Sequence, residues 1–173
     1  MRKLMIAMLI AAPAWAQSGS PADPMVASSK TLFMMVKDDI VRTAAMVPAD
    51  KYSYKPVDGV RTMGQLLAHV ADSQYEFCGP VKDGHMIRKG VEKSATTKEQ
   101  ITKALNEAFA YCEATYAGMS AGSAAQTVNF FGMKMTKLGV MDFNVGHTFE
   151  HYGNLVTYMR MNGMVPPSSQ PRK

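Results

Sequence analysis

An all-α four-helix bundle is the fold this sequence predicts, on three observations. Four segments repeat apolar residues at helical spacing, cap and proline signals bracket them, and three histidines fall on helix faces that turn toward one interior. Met25, Leu32, Phe33, Val36, Ile40, Ala44 and Val47 mark the first helix, which Pro48 ends. A connection rich in turn formers, Ala49 to Val60, leads to a second helix from about Thr62 to Cys78. Gly79 to Ala95 carries glycine, proline and charge without apolar periodicity. Thr97 and Gln100 then resemble a capping box for a third helix, whose stripe is Ile101, Leu105, Ala108, Phe109, Cys112, Tyr116 and Met119. The stretch from Ser120 to Lys137 is rich in small residues before NFFGMKM, which reads as a turn or a short hairpin around Gly132. The fourth helix, about Leu138 to Asn162, stops at Gly163 with Pro166 and Pro167 beyond.

Ahead of these elements, Arg2 and Lys3 precede an apolar run from Leu4 to Ala12, and Ala14-Trp15-Ala16 supplies a small-x-small cleavage pattern. Residues 1–16 are therefore expected to be a signal peptide cleaved after Ala16, with a polar tail at 17–24, the bundle at 25–165 and a C-terminal tail at 166–173. Cleavage leaves 157 residues, a length suited to one domain with a sizeable core. It also removes two of the 19 basic residues, leaving 17 against 14 acidic ones and a net charge of +3. That balance is mild, and no basic cluster interleaved with aromatics is present, so nucleic acid is not an expected partner. No segment after Gln17 is apolar for long enough to span a membrane. The expectation is a periplasmic or secreted protein.

His147 and His151 stand four residues apart, so on a helix they project from one face about one turn from each other. His69 shares a stripe with Leu66, Val70, Ser73 and Phe77. Three neutral imidazoles with an open position suit a divalent metal, zinc or nickel first. The plainer reading of each histidine is a hydrogen-bonded core residue. Asp72 and Glu76, one and two turns beyond His69, could take a proton from an imidazole or from water; the alternative is two carboxylates facing solvent. Asn154 and Tyr158 continue the stripe of His147 and His151 and are expected to line the pocket. Gly146 and Gly153 flank the pair, and two glycines inside a helix imply either close helix packing or the approach of a ligand. His85, in KDGHMIRKG, belongs to an exposed loop. Thirteen methionines follow the leader, and Met133 with Met135 and Met159 with Met161 invite a copper reading, but helical methionines usually fill cores and Met-x-Met pairs diverge on a helix.

HTFEHYGNLVTYMRMNGMVPPSS resembles the closing motif of the DinB-like family, and YSYKPVDGVRTMGQLLAHVAD resembles the segment leading into that family's first metal-ligand helix. The resemblance covers essentially the whole mature chain. It implies a four-helix bundle in up-down-down-up order, with a long crossover between the second and third helices and a divalent metal held at His69, His147 and His151. One departure is Glu150: many members have a histidine immediately before the last ligand. Glu150 reads either as a carboxylate supporting the site or as a solvated helix residue.

The sequence carries no haem-attachment motif, phosphate loop, nucleophile elbow or His-Glu-x-x-His motif. A metal on three histidines can acidify a water or activate a thiol, so the reading is a metal-dependent hydrolase or transferase acting on a small molecule. Some DinB-like proteins are transferases or isomerases using low-molecular-weight thiols, and an oxidising compartment argues against such a cofactor. The alternative is a non-catalytic envelope module that binds metal or a small ligand, and a homodimer is an open arrangement for either. Cys78 and Cys112 are the only cysteines. Antiparallel second and third helices would hold them about 20 Å apart. Parallel helices, as the resemblance implies, would bring them level for a disulfide; two free buried thiols are the other reading.

Overall fold

A computed structural model describes residues 23–171. The expected leader and nearly all of the tail at 17–24 lie outside the described residues. Helix α1 spans Pro24–Met46. Asp23 caps it, its carboxylate accepting from the amides of Met25 and Val26 at 2.9 and 3.1 Å, and Pro24 takes the first helical position, where no amide donor is needed. Phe33, Val36, Ile40 and Ala44 are fully buried along one stripe. The helix ends because Val47, before Pro48, is forced into extended backbone.

Helix α2, Met63–Lys82, starts at a capping box between Thr62 and Gln65 and runs one turn past the expected end at Cys78. Pro80 removes one hydrogen bond near the terminus, and the Asp83 amide, donating to the Gly79 carbonyl at 2.7 Å, closes the last turn regardless. Gly79 is needed for contact: a Cβ there would sit 2.6 Å from the His85 carbonyl oxygen, so the loop after α2 folds tightly back over it. That loop holds an unexpected turn of helix, α3, Val91–Ser94. The capping box predicted at Thr97 and Gln100 opens α4, Lys98–Ala117. A further short turn, α5, covers Ala121–Ala124.

The all-α expectation takes one correction, a two-stranded antiparallel sheet of β1, Thr127–Phe130, and β2, Met133–Thr136. Of the two readings of NFFGMKM, the hairpin is the one found: Phe131 and Gly132 both adopt positive φ, +49° and +82°, which matches the twist of a two-residue hairpin. Helix α6, Lys137–Met161, follows and ends at Gly163, where φ of +71° and a Met164 amide bond to the Met159 carbonyl at 2.9 Å make the expected glycine stop. The chain beyond folds back: Pro167 is buried, and Arg42 donates to the Gln170 side chain at 3.0 Å.

The four long helices enclose one core. Gly64 meets Ile101 near the start of α2 and α4, and Cys78 is bonded to Cys112 near their ends, with Cα atoms 5.5 Å apart. Like ends of α2 and α4 therefore lie together. Against α1, α4 places Phe109 on Phe33 and Tyr116 on Ser29. Against α6, α2 places Cys78 by Met141, Gln74 by Thr148 and His69 by His151. Met159 is fully buried and Met161 exposed, diverging as helix geometry requires, whereas Met133 and Met135 lie on β2, where alternate residues share a face.

The bridge closes a loop of sequence separation 34, for which chain-entropy loss in the unfolded state gives about 3–4 kcal/mol. We expect the Cys78→Ala/Cys112→Ala double variant to lose stability of that order in denaturant melts. A midpoint unchanged from the oxidised protein would contradict it.

Candidate metal centre

Midway along the seam between α2 and α6, ligand nitrogens of His69, His147 and His151 all lie within 4.8 Å of one another. Nε2 of His147 and Nε2 of His151 are 3.1 Å apart. Around a tetrahedral zinc with bonds of about 2.0–2.1 Å, two nitrogens stand roughly 3.3 Å apart, so the pair is already at ligand spacing. Burial is the main reason all three imidazoles have lowered pKa values. For His147, burial and then the neighbouring His151 and His69 bring it to about 4. For His69, burial and Arg61 outweigh the opposite pull of Glu92, and for His151 burial and His69 dominate. All three are consequently neutral near pH 7, the form that offers a lone pair to a cation.

The residues fit a divalent metal in donor chemistry, three neutral imidazole nitrogens within reach of one ion. Nδ1 of His147 and of His151 is buried without a hydrogen-bond partner, a state costing about 1–3 kcal/mol per group. Fully satisfied core histidines, the plainer alternative, would not leave such atoms. Packing holds these two rings instead: Phe77 meets His147 edge-on at 4.9 Å, and His147 meets His151 edge-on at 4.4 Å.

His69 alone has a carboxylate partner, and it is one that sequence reasoning missed. Its Nδ1 lies 3.3 Å from Oε2 of Glu92, and Arg61 Nε donates to Oε1 of the same carboxylate at 2.8 Å. Glu92 sits in α3, inside the stretch that lacked periodicity. The turn exists because Asp72 caps it from α2, accepting from the Val91 and Glu92 amides at 2.8 and 2.9 Å. A cap 19 residues upstream leaves no local signature.

The other expected residues fall as follows. Asp72 has both oxygens engaged in that cap. Glu76 lies on the His69 side of α2, with Arg88 Nε 3.8 Å from it. Glu150 and Asn154 are exposed, so neither is brought into the cluster, because they lie off the buried stripe of α6. Tyr158 is buried, and its hydroxyl donates to the Arg61 carbonyl at 3.1 Å, placing it one layer away from the imidazoles. His85 is exposed, with Nδ1 3.1 Å from the Asp83 carbonyl oxygen. A Cβ at Gly146 or Gly153 would meet nothing within 4 Å, so neither glycine serves close packing among the described residues. A broad groove lined by Lys30, Met34, Asp38, Arg42 and Tyr116 runs along α1 and shares no residue with the cluster.

The sequence profile of the DinB superfamily matches residues 34–155. The chain belongs to the DinB superfamily. The uncharacterized protein YjoA of Bacillus subtilis is 24% identical over 122 residues, 69% of this chain and 79% of that protein. The crystal structure of that DinB-like protein superposes with a TM-score of 0.68 at 21% identity, over 87% of this chain and all of the other. A DinB-like protein from Bacillus cereus gives 0.70 at 14% identity, over 82% and 95% of the two chains. The mycothiol-dependent maleylpyruvate isomerase gives 0.62 at 13% identity, over 75% of this chain and 60% of its own. These likenesses establish the fold, and with the histidine cluster the superfamily supports a divalent-metal cofactor.

Acid should destabilise the metal-free DinB protein through these rings. Their folded pKa values lie below the ordinary 6.5, so the unfolded chain binds more protons between about 4 and 6.5, and stability falls as pH drops through that window. Denaturant midpoints of chelated protein should decline from pH 7 to pH 4, and less so in His147→Phe. Parallel profiles for the two proteins would remove the histidines as the cause.

Proposed function

We propose that this DinB-superfamily protein binds one divalent metal ion, zinc or nickel, through His69, His147 and His151, and uses it as a metal-dependent hydrolase or transferase for a small molecule. The observation that carries the reading is the convergence of three neutral imidazoles from two helices, two of them at ligand spacing. Among the described residues the cluster contains three such donors and no fourth, an arrangement that favours an open, catalytic position over a closed structural site and over a module that only stores metal. When bound, the ion supplies Lewis acidity at that position. The chain's own residues do the remainder. Glu92 orients His69 and presents its other nitrogen to the cluster, Asp72 holds Glu92 in place, and Phe77 shuts water out on one side of His147. Of the three carboxylates expected to move a proton, Glu76 is the one we retain; Asp72 is a positioning residue, and the exposed Glu150 is a solvated helix residue.

The same proposal includes the up-down-down-up helix order, supported by the like-ended contacts of α2 with α4 and the opposed contacts of α2 with α6. It also includes export after cleavage at Ala16, supported by the leader and by a disulfide that an oxidising compartment would maintain. No helix among the described residues is long and apolar enough to cross a membrane. Exposed Met34 and Met46, on one groove along α1, support a homodimer. The likeness to a mycothiol-dependent isomerase is one of fold, and export disfavours a reduced thiol cofactor here.

Purified from its own cell envelope, the protein should contain about one zinc or nickel per chain, as three-imidazole sites do. Alanine at His69, His147 or His151 should abolish most of that content by elemental analysis, whereas His85→Ala should not. Full stoichiometry in all three single variants would refute the assignment. Glu92→Gln should weaken binding about 10- to 100-fold in competition with a chelator, the usual cost of removing the partner of a ligating histidine. Glu150→Gln is expected to match the wild type.

A further inference from the structure

On the hairpin side of the histidines the seam turns aromatic. Phe77, edge-on to His147, is also edge-on to Phe130, Phe131 and Phe143 at 5.5, 6.1 and 5.3 Å, and Phe143 stacks over His147 with ring planes 22° apart. Phe130 is fully buried, as a core residue should be. Phe131 and Phe143 are 54% and 44% exposed; Phe143 meets His147 directly, and Phe131 is joined to it through Phe77. Scattered exposed rings need no explanation, but a patch continuous with a candidate active site does.

Phe131 adds a second oddity. Its φ of +49°, followed by +82° at Gly132, places it where two-residue hairpins ordinarily carry asparagine or glycine. A bulky ring is thus kept at a backbone position it disfavours, and more than half of it stays in water. Packing on Phe77 and Phe130 covers one part of the ring and leaves the rest open.

At the other end of the seam stands Arg61, just before α2, its side chain 41% exposed and paired with the Glu92 carboxylate that also meets His69. Nε is bound to Glu92, while its two terminal nitrogens make no hydrogen bond among the described residues. A guanidinium with a free outer edge matches a carboxylate. The seam therefore runs from an aromatic end to an end where Arg61 offers two unpaired nitrogens, with the histidines between.

We propose that the exposed side of the seam between α2 and α6 selects a small carboxylic acid with a planar apolar portion, which lies on Phe131 and Phe143 while Arg61 takes the carboxylate, so that the atoms between them face His69, His147 and His151. This rests on the reading of the histidine cluster as the working site. Phe131 and Phe143 are then specificity-determining residues.

The probes are ω-phenylalkanoates of increasing chain length, from phenylacetate upward, each with its neutral amide, titrated into the full mature protein by calorimetry. Affinity should pass through a maximum with chain length, because both ends must reach, and the acids should bind more tightly than the amides. Phe131→Gly, which suits the backbone, and Phe143→Leu should each weaken the best acid roughly 3- to 10-fold, the size of one ring contact. Arg61→Gln should bring acids down to the level of their amides, and Phe149→Leu, an exposed phenylalanine outside the cluster, should change nothing. The proposal is overturned if both ring variants bind like the wild type, if acids and amides bind alike, or if Phe131→Gly loses only adsorption to phosphatidylglycerol vesicles.

Metal content measured on the same samples keeps the two readings apart. Envelope-purified protein free of both zinc and nickel that still shows ring and arginine dependence would sink the metal reading and keep this one; metal-loaded protein without that dependence would do the reverse.

Discussion

The site depends on the register between α2 and α6, and a buried polar seam sets it. Gln74 donates to the Thr148 hydroxyl at 3.0 Å, Asn144 donates to the Gln74 side-chain oxygen at 2.8 Å, and the Thr148 hydroxyl donates to the Asn144 carbonyl at 2.8 Å. All three side chains are essentially inaccessible to water. A slip of one helical turn would leave several of these groups desolvated and unpaired, at about 1–3 kcal/mol each, whereas apolar side chains alone would tolerate repacking. The network lies about one turn from His147 and His151 on α6 and between His69 and Cys78 on α2. The disulfide then ties α2 to α4 beneath it. Helix register is thus fixed by directional bonds at the depth where three rings must meet.

A chain of dependencies leads outward from that register to the electrostatics of the centre. Asp72 is a surface-compatible residue recruited to cap a single turn of helix, and the turn exists to hold Glu92 where it touches both His69 and Arg61. Glu92 opposes the fall in the pKa of His69 while Arg61 promotes it, and burial decides the balance. Neutral imidazoles result without any carboxylate entering the cluster itself, which keeps the donor set to nitrogen. A nitrogen-only set suits borderline metals such as zinc and nickel better than magnesium or calcium.

Much of this was legible in the sequence, and the parts that were not share a cause. The long helices announce themselves through apolar periodicity and through local caps at Thr97 with Gln100 and at Gly163, all written within a few residues of the feature they create. His147 and His151 are legible for the same reason, since four residues fix their common face. Glu92 is invisible because its placement comes from Asp72, across a loop whose path depends on Gly79 contacting the His85 carbonyl. The polar seam is hidden likewise: Gln74, Asn144 and Thr148 read as surface residues until α2 and α6 are brought together. Asp72 shows the converse error. A carboxylate one turn from a histidine suggests proton chemistry, yet both its oxygens are spent on backbone amides. Of the two readings of Gly146 and Gly153, close helix packing is the one that fails, since a side chain there would meet nothing among the described residues.

The metal-free centre is a costly arrangement. Three desolvated rings face one another, two with a buried Nδ1 that has no partner, and burial first, then nearby positive charge, keeps each from taking up a proton readily. Nothing in the core requires this; apolar residues at the same three positions would bury as much surface without unpaired nitrogens. The seam and the disulfide hold the helices that bring the rings together, with Nε2 of His147 and of His151 3.1 Å apart. A cation bound by the three imidazoles would add its binding free energy to the stability of those same helices.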